Sequence, residues 1–530
     1  MKKLVSTLTA VLSAAVLFVS CGKQQTPDEQ FKSAIRNRIM GTTEKLVGGV
    51  SDSCSGVDFS NFGSNGKVKL SLDEGTAALI QGLIATQLPN IDVSWFKSIN
   101  LDVNAILNDG KLKESLGFGL NDTNIVTFDL LFELENGNFY FRVPELLKNY
   151  FKVNGSTLGM QDAMKIYLAE IQLFKSAPSK KVFTGFVDEV LTAVLAGVNG
   201  VERTEETLTA GLDVDESKKV SANYNALLFK LTPEYATATA ENVKKAVSES
   251  KNLRTLLDWI IPVVNDLQIA GNLNADEVTN KFAEALAEVF ASTAELEDVS
   301  VIVYADSKSN MQGYKVAQAE GSAFESIFTQ KGNDFGFEMK ATEPESEVFA
   351  VNGFGSLSGG KMTGDFKVSA YKENVFLFST DKLDVEGLKS FKGNGAITLR
   401  LADNYQRMMK ETLQYSVGES AVALAKNLAL TLKMEEKSAK KGSFELILGD
   451  GEKASYVTLK CDSEYKKSNK IELPAESVDV ETIGDEETMN LIGSIKTDEI
   501  VENLKKANVP EEYTQIVSMY DGQTILSLIH

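Results

Sequence analysis

The stretch Val126-Thr127-Phe128-Asp129-Leu130-Leu131-Phe132-Glu133-Leu134-Glu135-Asn136-Gly137-Asn138-Phe139-Tyr140-Phe141-Arg142-Val143-Pro144 decides the fold class. Val126, Phe128, Leu130, Phe132 and Leu134 recur at every second residue, the period of a strand half buried against a core. Asn136-Gly137 supplies the residue types that accept φ > 0 in a tight turn, and Phe139, Phe141 and Val143 carry the alternation back. Pro144 ends the returning strand and is expected to open a short helix, Glu145–Phe151.

Toward the N-terminus the same period appears in Val68, Leu70 and Leu72, set between Lys67, Lys69 and Ser71. A helix is expected at Thr76–Gln87, with strands resuming from Ile91. Upstream, Gly48–Gly66 is rich in Gly, Ser, Asp and Asn and is expected to be loop. A helix around Phe31–Leu46 precedes it, with Ile35, Ile39 and Leu46 on one side.

Toward the C-terminus the period lengthens. Met164, Leu168 and Ile171 share a helix face, as do Phe183, Val187, Val190, Leu191 and Val194. Asn274 and Glu277 form a capping box ahead of Val278, Phe282, Leu286 and Val289. Leu253–Ile261 is helical in pattern, and Pro262 is expected to break or kink it. A strand pair, Leu208–Val214 and Ala226–Leu231, lies among these helices. Alternation returns at Val299–Tyr304 and persists to Ser455–Cys461, with Gly449-Asp450-Gly451 as a turn. One helix, Asn404–Asn427, interrupts it. Helices close the chain near Glu499–Ala507 and Glu511–Tyr520.

These periods describe an α+β protein: a curved, largely antiparallel sheet, open-barrel-like, in two strand-rich blocks with a helical middle segment. The segments are residues 1–20, a signal peptide; 21–66, an anchor, tether and N-terminal helix; 67–155, the first strand-rich block; 156–297, mainly helical; 298–475, the second strand-rich block; and 476–530, an acidic helical tail.

The first twenty residues stand apart. Met1-Lys2-Lys3 is followed by an apolar and small-residue run, Leu4–Val19, and then Ser20-Cys21-Gly22. That is the order of a secretory signal, and about 16 apolar residues are fewer than the ~20 of a membrane-spanning helix. Leu17-Phe18-Val19-Ser20-Cys21 resembles the bacterial lipobox, in which an apolar residue and two small ones precede a cysteine. Phe18 stands where that family usually has Leu. The resemblance implies cleavage before Cys21, covalent lipid on its thiol as the only prosthetic group, and a location in the cell envelope, membrane-anchored and extracytoplasmic. Several acyl chains at ~0.8 kcal/mol per buried CH₂ hold a soluble body at a bilayer.

The whole chain carries 54 basic and 74 acidic residues, a formal charge of −20. Loss of Lys2 and Lys3 with the signal takes it to −22. So acidic a chain is a poor ligand for nucleic acid and for anionic lipid surfaces, which leaves the tether as its hold on the membrane. Of three cysteines, Cys54 and Cys461 remain after Cys21. In an oxidising compartment they can pair; equally, Cys461, which shares a strand face with Val457 and Leu459, can be a buried free thiol.

Curved antiparallel sheets plugged on one side by helices resemble the LolA-like and LppX-like open-barrel lipid carriers of bacterial envelopes. Asn138–Leu147, Ala222–Pro233 with the helix Ala238–Ser250, and Ile471-Glu472-Leu473-Pro474 are similar to elements of uncharacterised envelope lipoproteins. The resemblance rests on pattern over about two-thirds of the chain, and it brings no catalytic residues with it.

Catalytic motifs are lacking. The single histidine, His530, is the last residue, which removes Ser-His-Asp and Cys-His arrangements and the usual His/Cys zinc sites. In Gly353-Phe354-Gly355-Ser356-Leu357-Ser358-Gly359-Gly360, Leu357 holds the place a GxSxG nucleophile would take, and no Gly-Lys-Ser/Thr follows. A turn between strands is expected there. Asp213-Val214-Asp215-Glu216 lacks the order of an EF-hand and is read as a charged loop.

The expectation is a non-enzymatic, membrane-anchored lipoprotein binding a lipid or other apolar ligand between sheet and helices. Its ligand contacts would come from Phe128, Leu130, Phe132, Phe139 and Phe141, residues that core packing also explains. The alternative is a surface structural or interaction lipoprotein without a cavity, its partners unspecified. A carboxylate-based hydrolase stands third.

Overall fold

Strong alternation and left-handed two-residue turns build most of this protein. A computed structural model describes residues 25–529 except 56–57, 59–60, 88–91, 135, 156–160, 214–215, 269–270, 296–297, 345, 390–392, 418–427, 439 and 452–453. About 36% of the chain is helix and 42% strand, so neither element serves as mere connection, and the sheet is open and mostly antiparallel. The α+β class with a curved open sheet follows the sequence reading. No helix among the described residues is long and apolar enough to cross a membrane.

The chain divides into two compact units, each discontinuous in sequence. One joins the stretch ending at Cys54 to Ser176–Ala402; the other joins Ser55–Lys175 to the stretch beginning at Asp403. The strand-rich stretch 298–475 is therefore shared between units. The first is the helix-bearing unit and the second the hairpin unit.

The hairpin unit holds ten paired strands among its described residues. Their order across the sheet is Ala429–Ser438, Lys441–Gly449, Ser455–Lys467, Asn61–Leu72, Ser98–Asn108, Lys111–Leu120, Thr123–Glu133, Asn138–Arg142, Tyr150–Asn154 and Ser477–Asp479. Only the last pairing is parallel. Asp109-Gly110 and Asn121-Asp122 take φ of 49° and 70° and of 47° and 65°. Positive φ at both turn positions matches the right-handed twist of the strands they join.

Three local expectations differ from the structure. The stretch expected as loop from Gly48 to Gly66 enters regular structure at both ends, since Pro27–Ser55 is one helix and Asn61–Leu72 one strand. Gly63 and Gly66 are held in that strand by ladders on both sides, to Ser455–Lys467 and to Ser98–Asn108, and this pairing overrides their weak strand preference. Glu145–Phe151 is not a helix. Leu146 and Leu147 N–H close a single turn on the Val143 carbonyl, after which Tyr150–Asn154 pairs with Asn138–Arg142. The connection at Asn136-Gly137 is a four-residue loop, since Glu133 pairs with Asn138, and Gly137 has φ +69°. The expected helix Asn404–Asn427 is seen as Asp403–Val417; 418–427 lie outside the described residues.

Among its described residues the helix-bearing unit is a ten-stranded antiparallel meander in chain order. It runs Glu202–Gly211, Lys219–Leu231, Val299–Ala305, Met311–Ala317, Ala323–Lys331, Asp334–Glu343, Ser346–Ser358, Lys361–Ala370, Glu373–Asp384 and Gly395–Leu401. The helix Pro27–Ser55 lays Phe31, Ala34 and Ile35 against Leu191, Leu195, Leu227, Phe229 and Val303 to form its main core. Asn274 caps the helix Ala275–Ala291, accepting from the N–H groups of Asp276 and Glu277, while the Glu277 carboxylate accepts from Lys281 instead of closing the expected box. Pro262 does not end its helix, which runs Lys251–Asp266. The buried Ile261 and Val263 on either side keep the turn in place. Of the glycine-rich string, Gly353 and Gly355 lie within a strand, and only Gly359-Gly360 form the turn, at φ 58° and 78°.

Candidate functional site

Strand period two, repeated in register across the hairpin unit, sorts its side chains onto two faces. One transverse row reads Met434, Phe444, Cys461, Val68, Leu101, Phe118 and Val126 on seven neighbouring strands. The rows beside it, two residues along, place Leu432, Leu446, Leu459, Leu70, Ile99 and Leu120 on one flank, and Gly66, Val103, Leu116 and Phe128 on the other. The opposite face reads Glu435, Ser443, Asp462, Lys67, Asp102, Gly117 and Thr127. One face is a hydrocarbon surface and the other is charged.

The charged face neutralises itself. Lys67 lies 3.5 Å from Asp102, and Lys460 lies 3.0 Å from Glu445. A groove of about 490 Å³ crosses it, lined by Asn65, Lys67, Asp102, Asn104, Ser115 and Asn124 among others. Farther along the same face, Arg142 is 2.7 Å from Asp129 and lies over the Tyr150 ring at 4.4 Å. Tyr140 donates to Glu133 at 3.1 Å, and its phenol is pushed up to about 12 by burial first and by that carboxylate second.

The apolar face is covered at its ends and open in its middle. At one end Tyr167 and Ile171 of the helix Gln161–Lys175 pack on Leu107, Leu112, Phe132 and Leu134. At the other, Leu504, Ala507 and Val509 pack with Ile125, Leu120 and Trp95. Between them Leu70, Ile99, Phe118, Phe128 and Phe444 stay 39, 44, 42, 38 and 43% exposed. A single exposed leucine is ordinary in a soluble protein; five large apolar side chains on one sheet face are not. Phe118 and Phe128 meet edge to face at 5.8 Å, while Phe132, Phe139, Phe141 and Phe151 form a ladder with centroids 4.7 to 5.7 Å apart.

The five expected contact residues thus share one face but do not share one environment. Phe132 is buried core; Leu130, Phe139 and Phe141 are half-buried; Phe128 stands on the open part. Sequence alone does not mark Leu70, Ile99, Phe118 or Phe444 as ligand contacts. Their alternation is plain in their own strands, but their neighbourhood depends on ladders joining residues hundreds of positions apart.

Cys461 is a free, partly buried thiol whose pKa is raised by burial and then by Asp462. Cys21 and the side chain of Cys54 lie outside the described residues. Asp213 of the acidic run lies 3.2 Å from Lys367; Val214 and Asp215 are also outside the described residues. No group of three or more His, Cys, Asp or Glu able to hold a metal ion occurs among the described residues.

No family model, no curated protein and no solved structure matches this chain.

Proposed function

We propose that this chain is an exported lipoprotein, held at a membrane by lipid on Cys21, whose hairpin unit shelters the acyl chain of a second lipid on its apolar sheet face. The observation that carries this reading is the open middle of that face, where Leu70, Ile99, Phe118, Phe128 and Phe444 each keep about two-fifths of their surface in water. Covering all five is worth on the order of 3–6 kcal/mol at ~1.5–3 kcal/mol per fully buried side chain. An acyl chain adds about 0.8 kcal/mol for each of its own methylenes taken out of water. A membrane tether supplies the lipid at close range, and the charged opposite face keeps the loaded sheet in solution.

The test is extraction and native mass spectrometry of the mature chain carrying Cys21→Ser, together with uptake of a fluorescent fatty acid. Co-purifying lipid and saturable uptake are expected, both reduced by Phe118→Asp. A chain that carries no lipid and takes up none presents its apolar face to a protein partner instead, and the carrier reading fails.

A further inference from the structure

The strand Lys111–Leu120 carries one carboxylate on its apolar side. Glu114 pairs with Ala105 on one neighbouring strand and with Leu130 on the other, and both ladders pass through it without a register shift. Leu112 and Leu116 precede and follow it on that side, while Phe128 and Phe132 stand diagonally across, within reach of a long side chain. Turning Glu114 to the charged face would turn Leu112 and Leu116 with it, because side chains alternate along a strand. Across Ser98–Asn108, Lys111–Leu120 and Thr123–Glu133 it is the one ionisable residue on the apolar face.

The acids of the opposite face have counter-charges: Asp102 has Lys67, and Asp129 has Arg142. Glu114 has none. Among the described residues no hydrogen bond or ion pair forms at its carboxylate, and burial raises its pKa. Its position also matters. Leu112, Leu130 and Phe132 pack with Tyr167 and Ile171 of the covering helix, whereas Phe118, Phe128 and Ile99 stay open. Glu114 is half-buried at that border, where a head group can reach it while a chain runs on over the open residues.

A cation is the ligand that gains here, because it brings the missing counter-charge. A metal ion would meet one carboxylate and a hydrocarbon wall, far short of the six or more oxygens that calcium takes. An ammonium clothed in methyl or methylene groups suits both parts of the site, pairing with the carboxylate and lying against the faces of aromatic rings.

We propose that Glu114 holds the ammonium headgroup of the lipid whose acyl chain covers the open middle of this face. The assignment rests on the acyl-chain reading of the hairpin unit and names the class of lipid that this face takes.

Calorimetric titration of the mature chain carrying Cys21→Ser with decyltrimethylammonium, decanol and tetramethylammonium, at physiological salt, tests it. The parent should bind decyltrimethylammonium about tenfold more tightly than decanol, a difference of ~1.4 kcal/mol. Glu114→Gln should abolish that preference and leave decanol affinity unchanged. The same variant should match or exceed the parent in urea, since an unpaired charge leaves the apolar face, so misfolding does not account for the loss. Asp462→Asn, on the opposite face, should keep the preference, which sets aside the general acidity of the chain. Equal parent affinities for the two decyl compounds, or a preference unchanged in Glu114→Gln, would overturn the assignment and leave the acyl-chain reading standing. So would tetramethylammonium binding as tightly as the decyl compound, since the site would then take a free cation. A parent that binds neither decyl compound fails the acyl-chain reading itself, and this assignment with it.

Discussion

Phe118 and Phe128 touch edge to face across neighbouring strands, 5.8 Å between ring centroids, yet each leaves about two-fifths of its surface in water. An aromatic pair in a core gives up nearly all of that surface. This pair has the geometry of packing without the cover.

Phe118→Asp should therefore separate binding from folding. Because the ring is so open, the urea midpoint should move by no more than ~1 kcal/mol in stability. Fatty-acid uptake should fall severalfold, because a charge then stands in the middle of the apolar row. A loss of several kcal/mol with uptake unchanged would show that the ring is core.

Arg142 and Asp129 make the opposite case. Asp129 is 7% exposed and receives both the guanidinium at 2.7 Å and the Ser115 hydroxyl at 2.8 Å. Arg142→Ala leaves that carboxylate buried with its counter-charge gone, which costs about 3–5 kcal/mol. Urea denaturation should record the loss. A double variant with Asp129→Asn should recover part of it, because the uncompensated charge is then absent.

Gly336 reports how closely two strand layers approach in the helix-bearing unit. A Cβ at this position would stand 2.0 Å from the Ala210 carbonyl oxygen, a backbone atom that a rotamer change cannot move aside. Gly336→Ala should cost roughly 1–3 kcal/mol, the range for forcing extra volume into a packed interior. At about 2–4 °C per kcal/mol, a thermal melt should resolve it. An unchanged melting temperature would mean that the layers are free to separate.

How much of this was legible before the structure depends on range. The alternation of Val126 to Leu134 and the helical spacing of Phe183 to Val194 are local, and they gave the class and most of the elements. Context overrode local preference where ladders or burial were strong enough: Gly63 and Gly66 extend between two partner strands, and Pro262 stays inside a helix flanked by buried Ile261 and Val263. The candidate face was legible only in part. Phe128 and Phe132 are indistinguishable by period, but one is open and the other lies under Tyr167 and Ile171. Nothing local reveals that Val68 pairs with Cys461, or that Phe444 follows next across the sheet.

Tyr140 should give a pH signature. Its phenol is 7% exposed, donates to Glu133 and titrates near 12, against 10 for an ordinary tyrosine. The folded state therefore holds the proton more tightly than the unfolded state. The stabilisation this gives is fully present below pH 10 and is lost as pH rises from 10 through 12. The stability advantage of the parent protein over Tyr140→Phe should shrink across that window, and the tyrosinate absorbance missing from the variant should appear only near pH 12. An ordinary titration at this position would mean that Glu133 does not reach the hydroxyl in solution.

Cys21 carries the whole of the membrane argument, because the rest of the chain offers so little else. The body is strongly acidic, so anionic headgroups repel it, and no described helix is long and apolar enough to cross a bilayer. If the lipobox-like string works as its resemblance implies, the thiol becomes thioether-linked to diacylglycerol and the newly freed α-amine is acylated. Anchoring then rests on two or more chains, and their combined burial resists high salt and carbonate, treatments that strip electrostatic binders. Cys21→Ser should abolish metabolic labelling by a fatty-acid analogue and shift the protein from the membrane to the soluble fraction, with the rest of the chain still folded. Retention of the variant in carbonate-washed membranes would mean that another part of the chain holds the bilayer, and the apolar face of the hairpin unit would be the first place to look.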